Sequence, residues 1–156
     1  MMITTTILAI VESFLATLAY AVLFNVPKQY YTACGITGMA GWLLYLAMCQ
    51  VTTVALASFV GTLAVVLISR IFTVRKKCPI TIFLVSGIIP LVPGAGIYYT
   101  AYYLVTGQMS LAAVKGLEAV KIAFAIVLGI IFVVSIPRDA FQIRYWRAKR
   151  KRKRLK

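Results

Sequence analysis

Five long apolar stretches, separated by short polar or charged connections, dominate the hydrophobic pattern of this 156-residue chain. A helix that crosses a bilayer needs about 20 mostly apolar residues, and each stretch is long enough to supply them. The stretches occupy residues 3–24, 30–49, 51–73, 79–106 and 110–136. The pattern therefore predicts an all-α integral membrane protein with about five transmembrane helices.

The second stretch is the least apolar, because its "TACGITGMAGW" segment consists mostly of small residues. Small residues allow the backbones of membrane helices to approach closely. We therefore expect Gly35, Gly38 and Gly41 to pack helices together, with a partner subunit on the other side of the contact. If this stretch does not cross the membrane, four spans remain.

The fourth stretch contains strong helix breakers within "SGIIPLVPGAGIYYTAYY", residues 86–103. Pro90 and Pro93 each remove a backbone donor and disturb the preceding turn. In hydrocarbon, the freed backbone groups are tolerated only when they are buried in protein or line a polar cavity. The sequence predicts two half-helices, at residues 79–89 and 95–106, joined by "PLVPGAG". A simple proline kink is the alternative.

The second half-helix is expected to begin with unpaired amide groups at Gly94, Ala95 and Gly96. These groups carry the positive end of the helix dipole, which favours an anion. Broken helices with this geometry bind carboxylates in secondary transporters. The predicted substrate-binding residues are Pro90, Pro93, Gly94, Ala95, Gly96, Tyr98, Tyr99 and Asn25.

The composition excludes a soluble domain of this length, because 62% of the residues are hydrophobic and the mean hydropathy is +0.95. The net charge of +14 is concentrated at the C-terminal end, where residues 138–156 hold ten basic residues and one acid. The sequence thus divides into a transmembrane domain, residues 1–137, and a basic tail, residues 138–156. A basic tail directly after a span is expected to contact anionic lipid rather than nucleic acid.

The basic residues indicate how the spans are oriented. Lys28 follows the first stretch, a basic group within residues 70–77 follows the third, and the basic tail follows the fifth. We expect the protein to lie in the plasma membrane. The positive-inside rule then places its N-terminus outside the cell and its basic tail in the cytoplasm. The first stretch is expected to be a retained span rather than a signal peptide, because it lacks a basic n-region and Glu12 interrupts it.

Three ionisable residues lie at depth within predicted spans. Glu12 is near the middle of the first stretch, and Lys121 lies on the fifth stretch three residues after Glu118. Ionisable residues in spans are costly and usually functional, which makes these three candidates for proton coupling or for contact with a substrate ammonium group. A structural ion pair, either Glu118–Lys121 or Glu12–Lys121, is the alternative. Aromatic residues near span ends, including Trp42 and Tyr45, are typical of interfacial anchors.

The residue types do not favour a metal site or an enzyme active site. The chain has no histidine, three cysteines without a CxxC pattern and three acids. These residues do not supply the ligand set of a zinc site or an acid–base pair, so we expect no metal, no cofactor and no enzyme activity.

Several local patterns together resemble a known family. They are "FNVP" at 24–27, the following "GITGMAGW", and "SRIF" and "CPITIFLVSGIIPLVPGAGIYY" between residues 69 and 99. This combination resembles the membrane domain of the threonine/serine exporter family, and most of all its small-subunit form. The most specific part is "PLVPG", preceded by Arg70 and Pro79. The resemblance extends to about residue 136 and leaves out the basic tail.

The resemblance implies secondary export of threonine, serine or related small carboxylates, driven by the proton gradient. It also implies a larger, separately encoded partner subunit of the same family, and a homo-oligomer is a further possibility. A rival interpretation is a non-transporting membrane scaffold or assembly protein whose basic tail binds lipid.

Overall fold

Six α-helices and two short 3-10 turns make up the part of the chain that the computed structural model describes. It describes the backbone of residues 2–136 and the side chains of residues 7–136, and the basic tail lies outside this range. The helices are α1 Met2–Leu23, α2 Tyr31–Cys49, α3 Val54–Lys76, α4 Thr81–Ile88, α5 Gly94–Val105 and α6 Met109–Val134. The 3-10 turns are Lys28–Tyr30 and Ile89–Leu91. The predicted all-α membrane fold is confirmed.

The helices account for the predicted apolar stretches. Three segments are long and apolar enough to cross a membrane: Lys28–Cys49, Val54–Lys76 and Met109–Val134. The pair Thr81–Leu91 and Gly94–Val105, bent by 51°, gives a fourth when it is counted as one span. The apolar segment Ile7–Leu23 within α1 is shorter, so a full crossing by α1 remains a prediction. The weak second stretch forms a helix of full length.

Helices α2 and α3 form the centre of the molecule. They pack against each other, α1 packs against α2 and α4, and α6 packs against α3 and α5. Two apolar clusters fill the interior, one around Cys34 and Phe83 and the other around Val65, Leu91 and Ile126. Helices α1 and α6 therefore lie on opposite sides of the central pair.

Six small hydroxyl side chains are buried between these helices with their donors satisfied. Each donates a hydrogen bond to the carbonyl oxygen four residues earlier in its own helix. These residues are Thr17, Thr37, Ser58, Thr62, Ser69 and Ser86. Since their polar groups are satisfied locally, they act in packing as small residues that bring helices close together.

The glycines of α2 pack against neighbouring helices of this chain. All three are buried. A methyl group built on Gly35 would overlap the ring of Phe14, and one on Gly38 would overlap the hydroxyl of Thr17, both on α1. A methyl group on Gly41 would overlap Val65 on α3. Glycine at these positions lets α2 lie between its two neighbours at short range.

The "FNVP" segment ends α1 by a Schellman motif. The N–H of Asn25 donates to the carbonyl of Val22 at 2.9 Å, and the N–H of Val26 donates to the carbonyl of Ala21 at 3.0 Å. Asn25 has a φ of 53°, the left-handed conformation that this motif requires and that asparagine tolerates. Pro27 follows and prevents the helix from continuing.

Candidate functional site

The predicted break in the fourth stretch is present. Helix α4 ends at Ile88, the turn Ile89–Leu91 follows, and α5 begins at Gly94. Pro93 precedes α5 with φ −76° and ψ 56°, which is not a helical conformation. The two proline rings and the change of direction by 51° divide the stretch into two half-helices close to the predicted bounds. A simple kink in one continuous helix is excluded.

The start of α5 has two free amide groups rather than the three expected. The N–H of Gly94 donates to the carbonyl of Val92 at 2.7 Å, and the first bond of the helix runs from the N–H of Ile97 to the carbonyl of Pro93 at 3.0 Å. Within residues 2–136, the amides of Ala95 and Gly96 have no backbone acceptor. These two groups carry the positive end of the α5 dipole.

A cleft of about 610 Å³ lies at this break. Its wall on the α5 side comes from the Pro90–Gly96 segment together with Tyr99 and Tyr103, and this wall includes the two residues with free amides, Ala95 and Gly96. Helix α2 contributes Trp42 and Tyr45, and α3 contributes Ser58. The opposite wall is α6, which contributes Lys115, Glu118, Ala119 and Ile122.

One ion pair lies in the cleft wall. The Nζ atom of Lys115 is 2.8 Å from Oε2 of Glu118, and the side chains are 42% and 53% exposed. Because both side chains are exposed, both charges are accessible to a molecule that enters the cleft. An exposed pair of this kind contributes little to the stability of the fold. The cleft thus combines an ammonium group, a carboxylate and two backbone donors with aromatic walls.

The family model for "Threonine/Serine exporter, ThrE" matches residues 9–136. The chain belongs to the threonine/serine exporter family. No curated protein and no solved structure matches it. The matched segment begins within α1, contains α2 to α6 completely and ends two residues after α6. Membership makes the chain an exporter-type membrane transport protein, as the resemblance in the sequence implied.

Four of the residues predicted to bind substrate or to couple transport to protons do not line the cleft. Asn25 lies in the turn that ends α1, where its backbone conformation accounts for its presence. Tyr98 is 64% exposed, and its ring contacts that of Tyr99 edge-on, with 5.4 Å between the ring centres. Glu12 and Lys121 are both exposed on the outer faces of their helices.

The ion pair differs from both sequence-based alternatives. Glu118 pairs with Lys115, and among the described residues neither a Glu118–Lys121 nor a Glu12–Lys121 pair forms. Lys115 and Lys121 are each three residues from Glu118. The spacing alone therefore does not indicate which of the two lysines pairs with Glu118.

Sequence reasoning missed the aromatic residues of the cleft other than Tyr99. Trp42 and Tyr45 stack with ring centres 5.1 Å apart, and Tyr99 and Tyr103 do so at 6.3 Å. Tyr103 is one helical turn after Tyr99, which is a signal that the sequence does contain. The position of Trp42 and Tyr45 near span ends is typical of interfacial anchors. The packing of α2 beside the break brings them to the cleft.

Proposed function

We propose that this chain is a membrane subunit of a secondary exporter for threonine, serine or related small carboxylates, acting with a larger partner subunit of the same family. The observation that carries the proposal is the cleft at the broken fourth stretch, which is lined by the two residues with free amides and by an ion pair. Interrupted helices inside a membrane occur where they line a solute path, and helix ends at such breaks bind charged groups of the solute.

The groups in the cleft suit a molecule that carries both charges of an amino acid. The amides of Ala95 and Gly96 and the ammonium group of Lys115 are donors for a carboxylate. The carboxylate of Glu118 is an acceptor for an ammonium group, and the rings of Tyr99 and Tyr103 add faces that attract a cation. Binding of the solute would then replace the internal Lys115–Glu118 pair with two intermolecular ones.

The need for a partner is supported by the exposure of α5. None of its residues is buried, although it forms one wall of the cleft. A partner on this side would cover the wall and close the path. In the proposed arrangement the N-terminus lies outside the plasma membrane, the tail lies in the cytoplasm against anionic lipid, and Glu12 and Lys121 remain candidates for coupling to protons.

Replacement of Ala95 by proline tests the amide contact directly. Proline has no N–H, and it is tolerated in the first turn of a helix. The Ala95 amide has no acceptor in residues 2–136, so the replacement removes no internal hydrogen bond. We expect Ala95→Pro to lower the efflux of labelled threonine or serine from proteoliposomes with both subunits by about tenfold or more, the effect of one charge-assisted hydrogen bond.

Ala95→Gly is the matched control, because it changes the side chain and keeps the amide. It should retain most of the efflux, and both variants should be present in the vesicles in equal amounts. Equal efflux by Ala95→Pro and Ala95→Gly would reject the amide contact. A labelled dicarboxylate measured in parallel separates the two substrate classes, because only the amino acids need the Glu118 carboxylate.

A further inference from the structure

Two opposite charges lie near the middle of their helices, on exposed faces. Glu12 is the eleventh of the 22 residues of α1, and Lys121 is the thirteenth of the 26 residues of α6. At a rise of 1.5 Å per residue, each lies about 15 to 20 Å from both ends of its helix. The side chain of Lys121 is too short to reach the membrane surface from that depth, because half of the hydrocarbon core is about 15 Å thick.

Neither charge is neutralised by the surrounding chain. Both residues are exposed, and within the described residues neither has an ionic partner. They cannot pair with each other inside one chain, because α1 packs on the α2–α4 side and α6 on the α3–α5 side. A charged side chain that faces lipid at mid-depth is unfavourable, so residues of this kind normally face protein.

The two charges stand in surface stripes with the same spacing. In each stripe an exposed apolar residue lies four positions before the charge and another lies three positions after it, which places all three on one face of the helix. The stripes are Leu8–Glu12–Leu15 on α1 and Leu117–Lys121–Phe124 on α6.

The direction of the two helices is also compatible. Helices α1 and α6 are the first and the fifth segments when the bent pair α4–α5 is counted as one span. With alternating crossings they run in the same direction through the bilayer. The stripe on α1 of one copy can therefore align with the stripe on α6 of another copy in the same membrane, with charge opposite charge and apolar residue opposite apolar residue.

We propose that a second copy of this chain docks through these stripes, with Glu12 of one copy paired to Lys121 of the next. Each neighbouring copy supplies one of the two missing charges, with the correct sign and at a matching position near the middle of its helix. Because the contact joins two different surfaces on opposite sides of the chain, it is heterologous and repeats from one copy to the next. The proposal concerns assembly and does not depend on which solute the cleft binds.

Two variants that reverse one charge each provide the test. Glu12→Lys places lysine opposite Lys121, and Lys121→Glu places glutamate opposite Glu12, so each variant should repel its own copies. A mixture of the two variants restores opposite charges at every contact. We expect energy transfer between donor- and acceptor-labelled full chains in lipid vesicles to fall about tenfold or more for each variant alone and to return in the mixture.

Rescue by mixing cannot arise from misfolding, since each variant would then fail with any partner. Lys28→Glu is the control. It makes the same change of charge as Lys121→Glu, but in the exposed connection before α2, and it should associate like the unchanged chain. The proposal is overturned if unchanged copies show no energy transfer. It is also overturned if the mixture associates no better than either variant, as expected when lipid or the larger subunit covers the two charges.

Discussion

Arg70 lies near the end of α3 with 8% of its surface exposed. Its guanidinium group donates to the carbonyl oxygen of Val134 at 2.7 Å and to that of Ile136. The last carbonyl groups of a helix have no partner within the helix, and a buried arginine with a planar fork of donors can satisfy two of them. One side chain thus fixes the end of α6 against α3, next to the point where the basic tail begins.

Arg70→Ala should therefore destabilise the fold. It leaves two carbonyl groups without these donors and removes a buried side chain, and each unsatisfied group costs about 1–3 kcal/mol. We expect a clear fall in the melting temperature of the purified chain in detergent. Arg75→Ala is the control, because Arg75 is exposed in the last turn of the same helix. Equal melting temperatures for the two variants would contradict the role assigned to Arg70.

Individual residues were the hardest features to predict from the sequence. Asn25 has a side chain that suits a substrate contact, yet its backbone conformation at the end of α1 is what the fold uses. Glu118 has a lysine three residues away on each side, and in the structure it forms its ion pair with Lys115. In both cases the residue type allows two roles, and the surrounding structure decides between them.

At the scale of elements, the sequence was most informative where the physical cause is local. The break between α4 and α5 follows from the two prolines and the glycine that succeeds them, and its position was predicted to within a few residues. The full composition of the cleft was not predictable in this way. Trp42 and Tyr45 reach it because α2 packs beside the break, and a contact between distant segments has no local signal.

The packing of α2 against α1 provides a test at the same scale. A methyl group on Gly38 would overlap the hydroxyl of Thr17, which is fully buried. Gly38→Ala should lower the free energy of unfolding by about 1–3 kcal/mol, the usual cost of overpacking, measurable as a lower melting temperature in detergent. A methyl group on Gly94 would meet no atom within 4 Å, so Gly94→Ala is the control and should change stability little. If Gly38→Ala is as stable as the control, α1 and α2 are not in tight contact.

For the whole molecule, the family match covers residues 9–136 and the described helices lie within residues 2–134, while the basic tail lies outside the match and outside the described residues. We propose that residues 1–137 carry out transport and that residues 138–156 have a separate role. The total charge and the number of apolar stretches were visible in the sequence, because they depend on composition and length. The arrangement of the helices around α2 and α3 was not, since apolar stretches of similar character can be packed in many orders.

Deletion of residues 147–156 separates the exporter from the rival scaffold. We expect the shortened chain, once its amount in the membrane is matched to that of the full chain, to support most of the amino-acid efflux in proteoliposomes with the larger subunit. The described residues that line the cleft, including Lys115 and Glu118, all lie outside the deleted segment. Loss of partner recruitment at normal insertion would instead assign the main role to the tail.

The buried hydroxyl groups of Thr17, Thr37 and Thr62 each bond to a carbonyl of their own helix, and none of these bonds ties one helix to its neighbour. Small sliding movements of α1, α2 and α3 past one another would consequently leave those three bonds intact. Shape and close contact, rather than directional hydrogen bonds from these groups, then set the resistance of the helices to sliding, which is compatible with the proposed export function.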